Sequence, residues 1–233
     1  PTLMPSERFS TRPYQLAWQR ELAYKWATYS SKIQVPTGYK AIGPGELTRS
    51  EQVEAHTVFH FESDQPMRQI PSWFVVPVEA DKTNENEWRI TQQRVGDIIT
   101  EVYVPSTQHV SDAQLKSAIE INQLGMADTL TWLSNEIKPY PHRQLRMFAI
   151  PNNGPTGFAM PQAMLIGYDV GFMALPTAEA VFDQRYRRAV HETAHQWFGH
   201  DIGNGISEDG AFLVESLAKY VELVMIEQRY GQE

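Results

Sequence analysis

The first hundred residues contain short runs rich in β-branched and aromatic residues, the pattern typical of β-strands. Turn signals separate these runs, among them Gly43-Pro44-Gly45 and Ser63-Asp64-Gln65-Pro66. The pattern predicts a β-rich segment over residues 1–105. The stretch from Tyr14 to Thr28 fits either a short helix or a further strand. The strands predicted with more definite limits are residues 27–35, 53–61, 72–76 and 97–104.

Helical spacing replaces the strand pattern at Ser111. The sequence Ser111-Asp112-Ala113-Gln114 fits a capping box with Ser111 as the N-cap residue, and Pro139-Tyr140-Pro141 ends the helix. A short apolar strand is predicted over residues 145–150. The apolar positions that predict a buried stripe along the helix are Ile119, Met126, Leu130, Leu133 and Ile137.

Composition excludes several classes of function. The 233 residues carry a net charge of −8, which argues against a surface that binds nucleic acid. The chain has no cysteine, and this excludes disulfides, thiolate catalysis and zinc sites built from cysteine. No apolar run is long enough to span a bilayer, so the sequence by itself is expected to be soluble.

The strongest chemical signal is a His-Glu-x-x-His motif. Residues four apart on a helix lie almost above one another, so His191 and His195 direct both imidazoles to one point, where they can bind zinc. Glu192 follows the first histidine, and its carboxylate can reach a water on the metal rather than the metal itself. The motif therefore predicts one Zn²⁺ site with Glu192 as the general base.

A third protein ligand is expected from a second helix, predicted over residues 208–230. Leu213, Leu217, Tyr220 and Val224 recur in this segment at helical spacing. Another face carries Ala211, Glu215, Ala218 and Glu222, a carboxylate flanked by small residues. We predict Glu215 as the third ligand and Glu222 as the acceptor for the second ring N–H of a ligating histidine.

Both the motif and the other histidines of the chain have alternative interpretations. A five-residue His-Glu-x-x-His match also occurs by chance, but here it lies in a helical pattern without proline and is followed by a suitable Glu. His200 lies five residues after His195, which does not fit the metzincin spacing, and we interpret it as a loop residue near the rim of the pocket. His56 and His60 are interpreted as surface residues of a strand.

Several segments together resemble the M1 family of zinc aminopeptidases, which are gluzincins. The resemblance runs from about Ser111 to the end of the sequence. It implies an α+β fold in which residues 106–233 form a thermolysin-like zinc catalytic domain, truncated at its C-terminus. Residues 1–105 then resemble the end of the N-terminal β domain of these enzymes. The family roles fall on His191, His195 and Glu215 as ligands and on Glu192 as general base. The segments that carry the resemblance are residues 139–141, 148–151, 159–160, 165–166, 191–199 and 213–222.

The spacing between the ligands departs from the typical family pattern. Nineteen residues separate His195 from Glu215, where typical members have eighteen. Thermolysin also has nineteen, but it places an Asp four residues after the ligand Glu, where this chain has Lys219. The sequence most resembles a bacterial subgroup in which an M1 domain is fused to an ABC-type permease. That resemblance implies an extracytoplasmic domain of a bacterial membrane protein, tethered to a permease.

A second departure concerns substrate binding. The segment that includes Ala159, Met160, Pro161 and Gln162 is expected to line the substrate cleft. In the family motif Gly-x-Met-Glu-Asn the Glu holds the free amine of the substrate, and Pro161 and Gln162 stand at the matching positions. The family's catalytic Tyr, which stabilises the oxyanion, is expected further downstream than this sequence extends.

The sequence therefore predicts a zinc-dependent metallopeptidase that resembles M1 aminopeptidases and hydrolyses peptide bonds. Two alternatives remain open. The missing amine anchor also fits an endopeptidase or an oligopeptide-processing enzyme. The third possibility is a non-catalytic, zinc-containing peptide-binding module of a membrane transporter.

Overall fold

Strands dominate the first half of the chain and helices the second half. The computed structural model describes residues 26–67, 71–77, 88–105, 110–151, 157–177, 180–202 and 212–231. The strands are β1 Ser30–Pro36, β2 Tyr39–Ile42, β3 Glu46–Val53, β4 His56–Glu62, β5 Phe74–Pro77, β6 Trp88–Val95, β7 Ile98–Pro105, β8 Gln144–Ile150, β9 Gly157–Met160 and β10 Ala163–Gly167. The helices are α1 Asp112–Glu136, α2 Gln184–Ala194 and α3 Leu217–Tyr230, with single π-helical turns at Asp169–Met173 and Phe212–Ser216.

A five-stranded sheet in the order β6-β7-β8-β10-β9 forms the centre of the fold. β8 pairs in parallel with both β7 and β10, while β6 and β9 pair antiparallel at the two edges. Parallel neighbours need a crossover connection, and α1 supplies it between β7 and β8. β1, β4 and β3 form a separate antiparallel sheet, and β2 pairs with β5.

The central sheet is buried on both faces. Val102 and Leu145 lie on the face packed against the helices, in the larger apolar cluster. Tyr103 and Phe148 point the opposite way, where they stack with centroids 4.6 Å apart and Phe74 of β5 stacks on Phe148 at 4.2 Å. Burial on both sides explains why residues of β7 and β8 are buried at successive positions, whichever face they point to.

The capping box predicted for α1 is confirmed. The Gln114 N–H donates to Ser111 Oγ at 3.3 Å, and the Ser111 N–H donates to Gln114 Oε1 at 3.2 Å. The predicted stripe is buried at its first four positions, but Ile137 is 49% exposed. The prediction for Ile137 was wrong because the helix ends at Glu136, so that Ile137 occupies the C-cap position outside the packed face.

Close packing of α1 on α2 places the helix that carries the histidine motif. A Cβ added at Gly125 would lie 2.8 Å from Ala189 Cβ, so the absence of a side chain at Gly125 allows the two helices to approach. Asp183 caps α2 by accepting a hydrogen bond from the Arg185 N–H at 2.9 Å. Beyond the helix, Trp197 Nε1 donates to the Lys138 carbonyl at 2.9 Å, which fixes the chain that leaves α2.

The second predicted helix is present as α3, with its first π-helical turn at Phe212. Residues 208–211 of that prediction lie outside the described residues. Of the four apolar residues that gave the helical spacing, Leu217 and Val224 are half-buried against the larger apolar cluster, while Leu213 is 40% and Tyr220 59% exposed. The buried side of α3 is formed by Ala218, Val221, Glu222 and Met225.

The predicted strands correspond to β1, β4, β5, β7 and β8, with ends shifted by up to three residues. His56 and His60 both lie on β4, where they are half-buried. The stretch from Tyr14 to Thr28 lies mostly outside the described residues. The division at residue 105 stays a prediction, but β6 and β7 share one sheet with β8, so hydrogen bonding crosses it.

Candidate metal centre

His191 and His195 bring their Nε2 atoms to 3.2 Å from each other at the end of α2. His191 lies in the last turn of the helix, and His195 keeps right-handed helical dihedrals just beyond it. The spacing of four residues therefore has the effect expected from helical geometry. Both imidazoles are largely buried, at 5% and 7% exposure.

The other ring nitrogen of each histidine faces a protein acceptor. His195 Nδ1 lies 3.0 Å from the Phe198 carbonyl, and the acceptor fixes the proton on Nδ1. His191 Nδ1 lies 3.2 Å from Glu222 Oε2, although this contact is poorly aligned for a hydrogen bond. Protonation at Nδ1 leaves the Nε2 lone pairs directed at the shared point, as metal ligation requires.

Glu215 completes a triangle of candidate ligands from the π-helical turn that precedes α3. Its carboxylate oxygens lie 3.5 Å from His191 Nε2 and 3.7 Å from His195 Nε2. The edge of a tetrahedral zinc site with bonds of about 2.0–2.1 Å is about 3.3–3.4 Å. Two imidazoles and one carboxylate at these separations thus match in donor type and spacing a three-ligand zinc site. The Glu215 side chain is 62% exposed, so this corner of the site opens to solvent.

Glu222 holds a buried carboxylate behind His191. Burial opposes its charge, but the contact with His191 and the hydrogen bonds from Lys219 and Arg187 lower the pKa of Glu222 to about 2. Lys219 Nζ donates to Oε2 at 2.8 Å, and Arg187 Nε donates to Oε1. Lys219 and Arg187 are therefore the cations that balance Glu222, and Glu222 stays ionised at neutral pH.

Glu192 lies in the same cavity with its carboxylate 3% exposed. Burial raises the pKa of Glu192 to about 7 and the nearby Glu215 carboxylate adds to this, while His191 and Arg188 act in the opposite direction. A Cβ added at Gly157 would lie 2.0 Å from Glu192 Oε1, so the edge strand leaves this space for the carboxylate. The site thus contains a carboxyl group that can gain and lose a proton near neutral pH.

A cavity of about 320 Å³ surrounds these groups. One wall is β9, which lies at the edge of the central sheet and has no strand on its outer side among the described residues. His200 also lines the cavity from the turn after α2. The residues that line it are Gly157, Phe158, Ala159, Arg188, His191, Glu192, His195, Gly199, His200, Val214 and Glu215.

Of the four residues predicted along the cleft, the structure brings only Ala159 to this cavity. Pro161 and Gln162 form the turn between β9 and β10, and the Gln162 side chain is 1% exposed. The side-chain Oε1 of Gln162 accepts a hydrogen bond from the Gly45 N–H at 2.9 Å. The backbone N–H of Gln162 donates to Gln196 Oε1 at 3.0 Å. Gln162 therefore joins the hairpin to the N-terminal strands, and Met160 lies next to it, with its carbonyl bound by Gln196 at 2.9 Å.

Sequence reasoning missed several residues of the cavity, among them Arg188 and Gly157. Arg188 is one helical turn before Glu192, with Nη1 3.7 Å from Glu192 Oε1. The spacing of four residues on a predicted helix was the signal that could have identified it. Gly157 gave no such signal, because the closeness of β9 to α2 is a tertiary contact.

The chain shares its fold with solved M1 zinc metallopeptidases. It superimposes on the crystal structure of an M1 zinc metallopeptidase from Deinococcus radiodurans with a TM-score of 0.62 and 18% identity, over 90% of this chain and 42% of that one. A point mutant of the same enzyme gives the same values. At 18% identity the similarity establishes a shared fold and nothing about activity.

Sequence similarity leads to the same group of proteins. The chain is 25% identical over 207 residues to human Aminopeptidase RNPEPL1 (Homo sapiens), a match that covers 88% of this chain. The matched part is 24% of the relative, so the chain spans about a quarter of its length. No protein-family model matches the chain.

Proposed function

We propose that this chain contains the zinc-binding centre of a peptidase, in a thermolysin-like arrangement of the kind found in gluzincins. The observation that carries the proposal is the convergence of His191 Nε2, His195 Nε2 and the Glu215 carboxylate on one point, with Glu192 beside it. The similarity to an aminopeptidase and the fold shared with M1 zinc metallopeptidases support the same function.

The proposed ligands of the metal are His191, His195 and Glu215. Zinc, when bound there, supplies Lewis-acid chemistry that lowers the pKa of water and polarises a carbonyl group. Glu192 takes the proton of the attacking water at a carboxylate oxygen and delivers it to the nitrogen of the leaving amine. Glu192 suits both steps by its position, because its buried carboxylate lines the same cavity as the three proposed ligands.

The proposed substrate is a peptide bound in extended form along β9. An edge strand offers unpaired backbone N–H and C=O groups, and a peptide strand that adds to it is held by main-chain hydrogen bonds. Ala159 and Phe158 of β9 line the cavity, so a peptide paired there passes the candidate metal centre.

The second candidate function, instead of aminopeptidase action, is that of an endopeptidase or oligopeptide-processing enzyme. The turn between β9 and β10, formed by Pro161 and Gln162, favours it. The buried Gln162 side chain is bound to Gly45, and Pro161 offers no charge, so neither residue gives the cavity a carboxylate for a substrate amine. Comparison of N-acetylated with free-amine peptides separates the two activities, because a strict aminopeptidase leaves the acetylated form uncleaved.

The metal content of the purified protein tests the ligand set. We expect one equivalent of zinc in the wild type and a zinc Kd weakened by about 10²-fold or more in Glu215→Ala, which loses a direct ligand. Glu192→Gln should keep its zinc and lose hydrolysis in the full-length protein. Surviving hydrolysis in that variant would exclude Glu192 as the base, and retained peptide affinity without turnover in the wild type would favour a non-catalytic binding module.

We also propose, from the sequence resemblance, that this chain is an extracytoplasmic part of a bacterial protein tethered to an ABC-type permease. Within the described residues no helix is both long and apolar enough to cross a membrane. Protease added to intact spheroplasts should digest the domain if it lies outside the cytoplasm, and protection of the domain until the cells are lysed would contradict this location.

A further inference from the structure

Arg188 differs from the other arginines of α2 in the partners that it has. Arg185 makes three hydrogen bonds to Asp183 through its side chain, of 2.6–3.2 Å. Arg187 is bound to Glu222 and, at 3.0 Å, to Gln184. These two guanidinium groups are engaged in holding the helix and the carboxylate behind His191.

The Arg188 guanidinium instead lines the cavity of the candidate metal centre. Its Nη1 lies 3.7 Å from Glu192 Oε1, which is longer than the roughly 2.7–2.9 Å of a charge-assisted hydrogen bond. The side chain is 24% exposed, so it is partly desolvated and still accessible from the cavity. A guanidinium has five N–H donors in a planar fork that matches a carboxylate, and this contact engages few of them.

The charges around the cavity favour an anionic group on the substrate. Among the described residues, the lining has two carboxylates, Glu192 and Glu215, which are assigned as base and ligand, so neither is available to bind a substrate amine. A cationic amine next to Arg188 would meet a like charge in a partly desolvated site. A carboxylate at the same place would form a bidentate ion pair.

We propose that Arg188 is a specificity-determining residue that binds a carboxylate of the peptide substrate beside the scissile bond. This inference rests on the proposed peptidase function. Arg188 precedes His191 by three residues, a rise of about 4.5 Å along the helix, which is little more than one residue of an extended peptide. The carboxylate therefore belongs to a position within one or two residues of the bond that is cleaved.

Two kinds of peptide present such a carboxylate. One has an Asp or Glu side chain next to the scissile bond, and the other has its own C-terminal carboxylate there. The two are distinguished by matched peptides in which Asp is replaced by Asn, or the C-terminal carboxylate by an amide.

The test uses the full-length, zinc-loaded protein and fluorogenic peptides that differ only in these groups. We expect kcat/KM to be higher for one carboxylate-bearing peptide than for its neutral match by about 10- to 100-fold. Arg188→Gln should abolish this preference, and Arg188→Lys should restore part of it because the charge returns without the fork. Arg143→Gln is the matched control, since it removes one charge from a side chain that is 76% exposed and outside the cavity lining.

A second measurement separates substrate binding from an effect on Glu192. Binding of the same peptides to Glu192→Gln, with and without Arg188→Gln, should show the same charge preference without turnover. An equal loss of kcat for all peptides in Arg188→Gln, with an altered pH profile and no change in preference, would overturn the proposal and assign Arg188 to positioning Glu192. If neutral peptides are cleaved as well as acidic ones by the wild type, the inference fails and the peptidase function stands. If no peptide is bound or cleaved, both fail.

Discussion

At the scale of single residues, the candidate site depends on side chains that fix the histidines. Glu222 is kept ionised by Arg187 and Lys219, and it lies 3.2 Å from His191 Nδ1. A carboxylate behind a ligating imidazole orients the ring and strengthens it as a ligand. The role proposed for Glu222 can be separated from that of the three candidate ligands, because Glu222 is not one of them.

We expect Glu222→Gln to weaken zinc binding by about 10- to 100-fold while the fold is retained. The amide keeps the shape of the side chain but loses the charge that faces His191 and Lys219. Competition with a zinc chelator of known affinity measures the change. Glu120→Gln, at a side chain 62% exposed on α1, is the control and should leave zinc affinity unchanged. Equal affinity in Glu222→Gln and the wild type would show that the carboxylate has no part in ligation.

At the scale of elements, α2 must begin correctly for the motif at its other end to be placed. Asp183 accepts a hydrogen bond from the Arg185 N–H and forms an ion pair of 2.6 Å with the Arg185 guanidinium. Both side chains are at least nine-tenths buried, at 10% and 4% exposure. The start of the helix thus combines an N-cap with a buried charge pair.

Asp183→Ala should lower the free energy of unfolding by roughly 3–5 kcal/mol, because it leaves the Arg185 charge buried and unpaired. Asp183→Asn keeps a capping oxygen and should lose less. Urea denaturation at neutral pH measures both variants. Asp112→Ala, which removes the same side chain from the first turn of α1 where it is 85% exposed, should cost about 1 kcal/mol or less. A loss for Asp183→Ala as small as that of Asp112→Ala would contradict the proposed role.

At the scale of the whole molecule, a buried ion pair joins the central sheet to the N-terminal strands. Arg146 Nε donates to Glu101 Oε2 at 3.0 Å, and Arg146 Nη1 donates to the Gly43 carbonyl at 2.9 Å. Burial opposes the charge of Glu101, yet Arg146, Gln92 and Tyr103 together hold its pKa below the ordinary value of 4.5. A carboxyl with a lowered pKa in the folded state stabilises the fold above its unfolded pKa, and this stabilisation is lost as the pH falls through the folded value.

The wild type should therefore lose stability on acidification below about pH 4.5, and Glu101→Gln should show a weaker dependence there. At pH 7 the variant should be less stable by about 3 kcal/mol, because Arg146 remains buried without its anion. Thermal unfolding followed from pH 7 to pH 3 gives both quantities. Parallel curves for the two proteins would show that Glu101 does not contribute to the acid transition.

The parts of this fold that sequence predicts are those that local chemistry determines. The capping box at Ser111 and the helical spacing of the histidine motif both depend on residues within one or two turns. β3 and β6 were missed because they are mostly polar and half-exposed, with little apolar alternation to identify them. Gln162 was expected in the cleft, but its side chain is bound to Gly45 instead. Arg188 was not identified at all, although it lines the cavity. Both contacts are created only by tertiary packing.

Gly157 has a consequence for how this chain can vary. Its backbone is ordinary strand without a positive φ, so the fold tolerates a small side chain there if the Glu192 carboxylate moves aside. Under selection for stability alone, position 157 is therefore open to substitution by alanine or serine. Under selection for the chemistry proposed for Glu192 it is closed, because displacement of a catalytic group by about 1 Å is enough to slow a reaction by two orders of magnitude. The amino acid found at position 157 in related chains thus records which of the two selections has acted on them.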